Sequence, residues 1–271
     1  MSPFKRAVVK GGSSKGKEPV IDVDDLSPRT KRTRSPSGVF DLNMFKSYAA
    51  FQTQKSYFRD ATPLLERVVD QSSLLDIDIP KWFAHKDWNY LLSDLDEAYE
   101  NLVKEFYANA IVEGGELKCW VRRKSFSVSP TYLAEILHIN RPMLKNSSVY
   151  DDLCQKLIRQ DLEFSSNGNS VTVSSLPPKL RVFTIVMFHN LYPLSSTEYM
   201  NLGRALFLHD LISVVEIDFC AHIFHVLRKT LLRTESRICV PFCCLISRIL
   251  KLKGIHPTDD AESNQHAYTQ R

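Results

Sequence analysis

Three groups of residues have types and spacings that could do chemistry. The first joins Cys220, His222 and His225 to Cys239, Cys243 and Cys244. His222 and His225 stand three apart and would share a helix face, as would Cys239 and Cys243, and imidazole and thiolate are the ligands of tetrahedral zinc. The spacing argues otherwise, because C-x-H-x-x-H followed by C-x-x-x-C-C lacks paired C-x-x-C knuckles, and thiols in an apolar run such as VPFCCLI are ordinary core residues. No metal ligand and no cofactor is assigned.

The second group is acidic: Asp94, Asp96, Glu97, Glu100 and Glu105. A metal-dependent nuclease needs three carboxylates converging on two ions. These five instead fill the gaps of an apolar three-four periodicity, which reads as the solvated side of a helix. There is no Walker-type loop and no G-x-G-x-x-G, and no local signature supports a Cys-His nucleophile pair. No catalytic residue is assigned, and no small-molecule substrate is identifiable.

The third group is basic. Arg122, Arg123 and Lys124, interleaved with Trp120 and Phe126, could offer phosphate and stacking contacts to a single strand. A β-hairpin edge defended by charge accounts for the same residues and weighs more. A second basic cluster lies in SPRTKRTRSPS, where Arg29, Lys31, Arg32 and Arg34 form a nuclear address or a nucleic-acid arm, with a solvated charge run as the alternative. Ser27 and Ser35 precede proline, and phosphorylation there would offset the charge.

The charge distribution separates the two clusters. Residues 1–40 hold nine Lys/Arg against four Asp/Glu, which leaves 26 against 27 in the remainder. The basicity belongs to the N-terminal arm, and a near-neutral remainder argues against a broad phosphate-binding face. With few large apolar groups, residues 1–40 are expected to be disordered. The longest apolar run, Val182 to Leu194, is broken by His189, Asn190 and Pro193, so no membrane span is expected. No secretory signal is read at the N-terminus, and the six scattered cysteines suit a reducing compartment. The expected location is the nucleus, otherwise the cytoplasm.

These groups must be positioned by a fold. Residues 41–61 read as a lead-in segment. Thr62-Pro63 reads as the cap and first position of a helix carrying Leu64, Leu65, Val68 and Val69. From Trp88 to Ala110 apolar positions recur at three and four, which predicts one continuous helix with Glu100 and Lys104 as an i,i+4 pair. Gly114-Gly115 turns IVE into a second strand, ELKCWVRRKSFSV, neither face of which is cleanly apolar. The hairpin is therefore expected at the surface, and Ser129-Pro130 starts a short helix.

Beyond Arg141-Pro142, helices are expected at Tyr150–Asp161, across Leu180–Leu191, after a Thr197 cap, over Asp218–Arg233, and from Pro241 to Lys253 with Gly254 at its end. FSSNGNS is a turn, and residues 257–271 are a flexible tail. The expected fold is mainly α, a single multi-helix domain over residues 62–256 with a small β-hairpin.

LVKEFYANA (Leu102–Ala110) followed by CWVRRKSFSVSPTYLAEILHI (Cys119–Ile139) resembles the putative plant transposon protein domain, found in retrotransposon-derived plant genes. The later stretches LPPKLRVFTIVMFHNLYPL, DFCAHIFHVLRKT and RICVPFCCLISRILKLKGI are similar to it as well, so the likeness covers about residues 80–256. Arg123 and His138 depart from it, each standing where the family usually has glycine. The family has no agreed catalytic residues, so the resemblance implies no site. It implies a mobile-element-derived plant protein, and taken with the basic arm it leads to the expectation of a non-enzymatic protein that acts in the nucleus through association with nucleic acid or protein partners, or with itself. The alternative is a capsid-like assembly module, with a metal-dependent nuclease ranked last.

Overall fold

The computed structural model describes residues 40–74, 79–86, 88–142, 170–212, 216–234 and 238–257. The basic arm, the helix expected at Tyr150–Asp161, most of the FSSNGNS turn and the tail after 257 lie outside the described residues. About half of the described residues are helical, and three small sheets accompany them, more β-structure than the single hairpin expected.

The centre of the fold is α4, Glu100–Asn109, with Leu102, Val103 and Phe106 fully buried and Tyr107 nearly so. It is covered on several sides: by the lead-in helix α1 (Tyr48–Thr53) and the π-turn after it, by the sheet, and by α9 (Cys243–Leu252). Phe58 of the π-turn stacks on Tyr107, with ring centroids 5.6 Å apart. Residues 40–61 are thus packed against the helix that carries the family motif.

The helix expected after Thr62-Pro63 does not form. Thr62–Pro63 is β1, paired in parallel with β7, Cys239–Val240. Thr62 N–H donates to the Ile238 carbonyl at 3.0 Å and Leu64 N–H to the Val240 carbonyl at 2.9 Å. Proline falls on the intervening position, whose N–H a short edge strand does not need. A local cap signal is overridden here by a partner far along the chain.

The helix expected from Trp88 to Ala110 is also broken. After α2 (Ile79–His85) comes the single turn α3, Tyr90–Ser93, and then residues 94–99 leave the helical path before α4. A continuous helix would use the carbonyls of Leu91 and Leu92 to bind the N–H groups four residues on. Asn190 Nδ2 takes the Leu91 carbonyl at 2.6 Å and Val69 N–H takes that of Leu92 at 2.7 Å. The bend also lets Asp96 reach Lys251 of α9 at 3.0 Å and Tyr99 N–H donate to Ser247 Oγ at 2.8 Å. Lys104 Nζ donates to the Arg59 carbonyl.

The predicted hairpin is a three-stranded meander of β2 (Ile111–Glu113), β3 (Glu116–Val121) and β4 (Lys124–Val128). Its second turn falls at Arg122-Arg123, where both residues have positive φ, 46° and 65°. That is the two-residue turn normally made by Asn-Gly. Pairing Leu117 with Val128, Cys119 with Phe126 and Val121 with Lys124 reverses the face assignment beyond the turn. The inner face is therefore apolar, with Leu117, Val121 and Val128 fully buried, and not the mixed surface that a single strand implied.

Ser129 caps α5 (Pro130–Leu137) by accepting from Tyr132 N–H at 3.1 Å. α6 (Pro178–Val186) runs into a π-turn, Met187–Leu191. The helix expected from a Thr197 cap starts later: Tyr199–Met200 is β6, paired with β5 (Val171–Thr172), and Asn201 accepts from Arg204 N–H at the start of α7, Leu202–Ile212. Asp218 caps α8, Phe219–Leu231. α9 ends as expected at Gly254, φ 66°, with Ile255 N–H reaching back to the Leu250 carbonyl.

Candidate functional site

The first two stretches that carry the family resemblance lie on α4 and from the end of β3 through α5, and Glu105 and Arg122, one polar residue from each, meet inside the fold. Glu105, 1% exposed, accepts from Arg122 twice: Oε1 from the backbone N–H and Oε2 from Nε, both at 2.9 Å. Burial pushes the Glu105 carboxyl above its ordinary range, against the pull of its bonds from Arg122. Tyr107 Oη donates to the Pro241 carbonyl at 2.9 Å, and burial holds its hydroxyl well above the usual value. Asn109 accepts from Lys46 N–H and donates to the carbonyls of Met44 and Glu105, each at 2.9 Å. Each of these groups fastens one element to another.

A second set lies around the start of α9. Phe242, the residue at its N-cap, has φ 57° and supplies no side-chain cap. The buried Glu66 does so from β1's trailing segment, accepting from Cys244 N–H at 2.9 Å and Leu245 N–H at 3.0 Å. Two N–H donors and the positive end of the helix dipole hold the carboxylate, yet burial still pushes its pKa up. Close by, Asn190 pairs with Arg67 as a strand residue would, accepting from its N–H at 3.1 Å and donating to its carbonyl at 2.7 Å. Glu66, Asn190, Leu91, Leu137, Ile223 and Phe242 border a void of about 10 Å³, the room of roughly one water.

The thiols are poorly placed for nucleophilic work. Burial, and after it the charge of the Glu66 carboxylate, raises the pKa values of Cys243 and Cys244, whereas activation requires a lowered one. Burial also pushes Cys119 up, and takes Cys220 to about 12. His222 is packed among Tyr192, Phe207 and Phe219, and burial with His225 nearby lowers it to about 3. Among the described residues, no three of His, Cys, Asp and Glu gather where they could hold a metal. Cys154 lies outside the described residues.

The acidic residues divide. Glu105 is buried on α4, while Asp94 and Asp96 lie at the bend, where Arg248 reaches them at 3.4 Å and 3.5 Å.

The basic trio also divides. Arg122 is bound to Glu105, and Lys124 Nζ donates to the carbonyls of Lys253 and Gly254 at 3.0 Å and 2.8 Å, closing the C-terminus of α9. Arg123 is exposed at the tip of the turn. Of the aromatics interleaved with the trio, Phe126 faces inward against Phe106, 6.4 Å between centroids, and Trp120 is half-buried on the opposite side of the sheet. Arg29, Lys31, Arg32 and Arg34 lie outside the described residues.

Sequence reasoning missed Glu66, Asn109, Asn190 and Ser247. The signal for Asn190 was present, since a lone amide in VFTIVMFHNLYPL must be satisfied when buried. Nothing local marked Glu66, whose partner lies 178 residues away.

Residues 84–256 match the family model described as a putative plant retrotransposon-related domain. No curated protein and no solved structure matches the chain.

Proposed function

Because the chain belongs to this plant retrotransposon-related family and so derives from a mobile element, we propose that it acts without catalysis, in the nucleus, by association with nucleic acid. One observation carries the reading: nine Lys/Arg against four Asp/Glu sit in residues 1–40, beside a near-neutral domain. The non-catalytic part is supported by where the motif side chains point, since Glu105, Tyr107, Asn109 and Arg122 are engaged in holding elements together. A basic arm attached to a near-neutral domain gathers counterion-releasing charge in one place, so affinity should follow the arm and fall steeply with salt.

The test is binding of the full chain to DNA and RNA across salt, with and without residues 1–40. Loss of most binding with the arm is expected, and undiminished binding without it would shift the reading from arm to domain. Light scattering on the same samples checks for self-association into capsid-like assemblies. For localisation, a fluorescent fusion is expected to leave the nucleus when Lys31, Arg32 and Arg34 are replaced by alanine. A fusion that is cytoplasmic with or without those changes would dispose of the nuclear part.

A further inference from the structure

Two basic segments 129 residues apart in the sequence meet at one corner of the fold. Lys124, the first residue of β4, is fixed by the carbonyls of Lys253 and Gly254 at the end of α9. With two of its three N–H donors so engaged, one remains for a ligand. Lys253 Nζ sits 4.4 Å from the centroid of the Tyr132 ring. Arg123, the residue before Lys124 in the chain, is exposed on the turn at φ 65°.

The conformation of Arg123 makes this corner more than a charged edge. The left-handed region is one that residues with a side chain rarely adopt, and glycine or asparagine would occupy the turn without strain. Arg122 gains two bonds to Glu105 in return for its own positive φ. No hydrogen bond or ion pair among the described residues holds Arg123. Of the acids bonded to residues close to these three in the chain, Glu105 is paired with Arg122 and Asp96 with Lys251 and Arg248. An exposed guanidinium, next in the chain to a lysine whose ammonium group is bound to the backbone of Lys253, suits a phosphodiester, which accepts both bidentate and point-charge donors.

We propose that Arg123, Lys124 and Lys253 form a phosphate-binding corner through which the domain itself grips a nucleic-acid backbone, separately from the arm. This rests on the nucleic-acid reading above and adds a second point of attachment to it. The shared ligand is the phosphodiester, from either a single strand or a duplex.

The test uses the full chain with Arg29, Lys31, Arg32 and Arg34 changed to alanine, titrated against single-stranded RNA and duplex DNA of equal length from about 50 to about 200 mM salt. Into that background go R123E and K253E, while Lys124 is left because it also closes α9. A circular dichroism spectrum and an unchanged urea midpoint verify folding. The background is expected to keep residual, salt-sensitive binding. The double reversal should weaken it about tenfold or more and lower the salt slope by about two, one for each phosphate no longer neutralised. R123K is expected to retain most of it, and the nucleic acid whose binding weakens identifies the source.

If the arm-substituted chain does not bind, or binds with the same affinity and slope after the double reversal, the corner is refuted. The nucleic-acid reading survives in that case provided the unsubstituted chain binds. If the unsubstituted chain binds neither nucleic acid, both fall.

Discussion

Glu105 and Arg122, seventeen residues apart, meet at two points, the carboxylate taking both the backbone N–H and Nε of the arginine at 2.9 Å. The pair ties the EFYAN segment of α4 to the WVRR turn, so two of the stretches on which the resemblance was read join in space. Reading the arginine as a ligand-binding group and the glutamate as part of a solvated face separates what the fold joins.

Replacing Arg122 with alanine is expected to destabilise the fold by about 2–3 kcal/mol, somewhat less than a fully buried broken pair, because the backbone bond survives. Adding Glu105→Met to that variant should restore part of the loss by removing the uncompensated buried charge. Urea denaturation reads both, and a double variant less stable than R122A alone would rule out this account.

Glu66 gives a pH prediction with a definite sign. Its folded pKa is raised, first by burial, above the value of about 4.5 expected when unfolded. The folded protein therefore binds more protons between the two values, and the contribution of Glu66 is greatest below 4.5 and diminishes as pH rises through the folded pKa. The difference in unfolding free energy between wild type and E66Q should accordingly fall with rising pH and then level off. A difference that grows over that interval would contradict the raised pKa.

Independent of pH, Glu66→Ala leaves Cys244 and Leu245 N–H groups buried without their acceptor. The expected cost is about 2–3 kcal/mol, combining a lost cap with orphaned donors. The urea midpoint at neutral pH checks it.

Arg123 and His138 have positive φ, 65° and 53°. Both positions, read from the sequence as departures from the family resemblance, thus fall on left-handed backbone, where glycine is unstrained. His138→Gly and Arg123→Gly should each raise stability by about 1 kcal/mol in thermal or urea unfolding. Gly254→Ala should lower it by a similar amount, since φ is 66° and a Cβ would come within 3.1 Å of Lys124 Nζ. On the phosphate-corner reading, R123G would gain stability and lose binding together.

A fragment spanning residues 84–256, the extent of the family match, is expected not to fold cooperatively, whereas residues 40–257 should. The shorter piece lacks Phe45, Phe58 and Ala61 of the core, the β1 partner of Cys239–Val240 and the cap on α9. Near-ultraviolet circular dichroism and urea titration of both fragments decide it.

Where the sequence was legible, the determinants were local. Ser129-Pro130, Asp218 and Gly254 each mark a helix end through their own side chain or lack of one, and the fold uses all three. The readings that failed did so where a distant group outbid a local one: Val240 and Ile238 for Thr62-Pro63, Asn190 and Val69 for the helix through Leu91 and Leu92. The second hairpin turn was missed because Arg-Arg lacks the asparagine or glycine that announces such a turn. The same omission hid which face of the sheet was apolar.

The parallel pairing of Thr62–Pro63 with Cys239–Val240 also sets an order of events during synthesis. On the ribosome, β1 and Glu66 emerge long before the strand and helix they serve, and so much non-local pairing is slow to assemble. A premature stop anywhere before Val240 would strip β1 of its partner and release a chain with an open edge and an unmatched carboxylate. Decay of a gene of this kind from its 3′ end should therefore abolish the folded product early, whereas loss of codons for the arm should leave the domain intact.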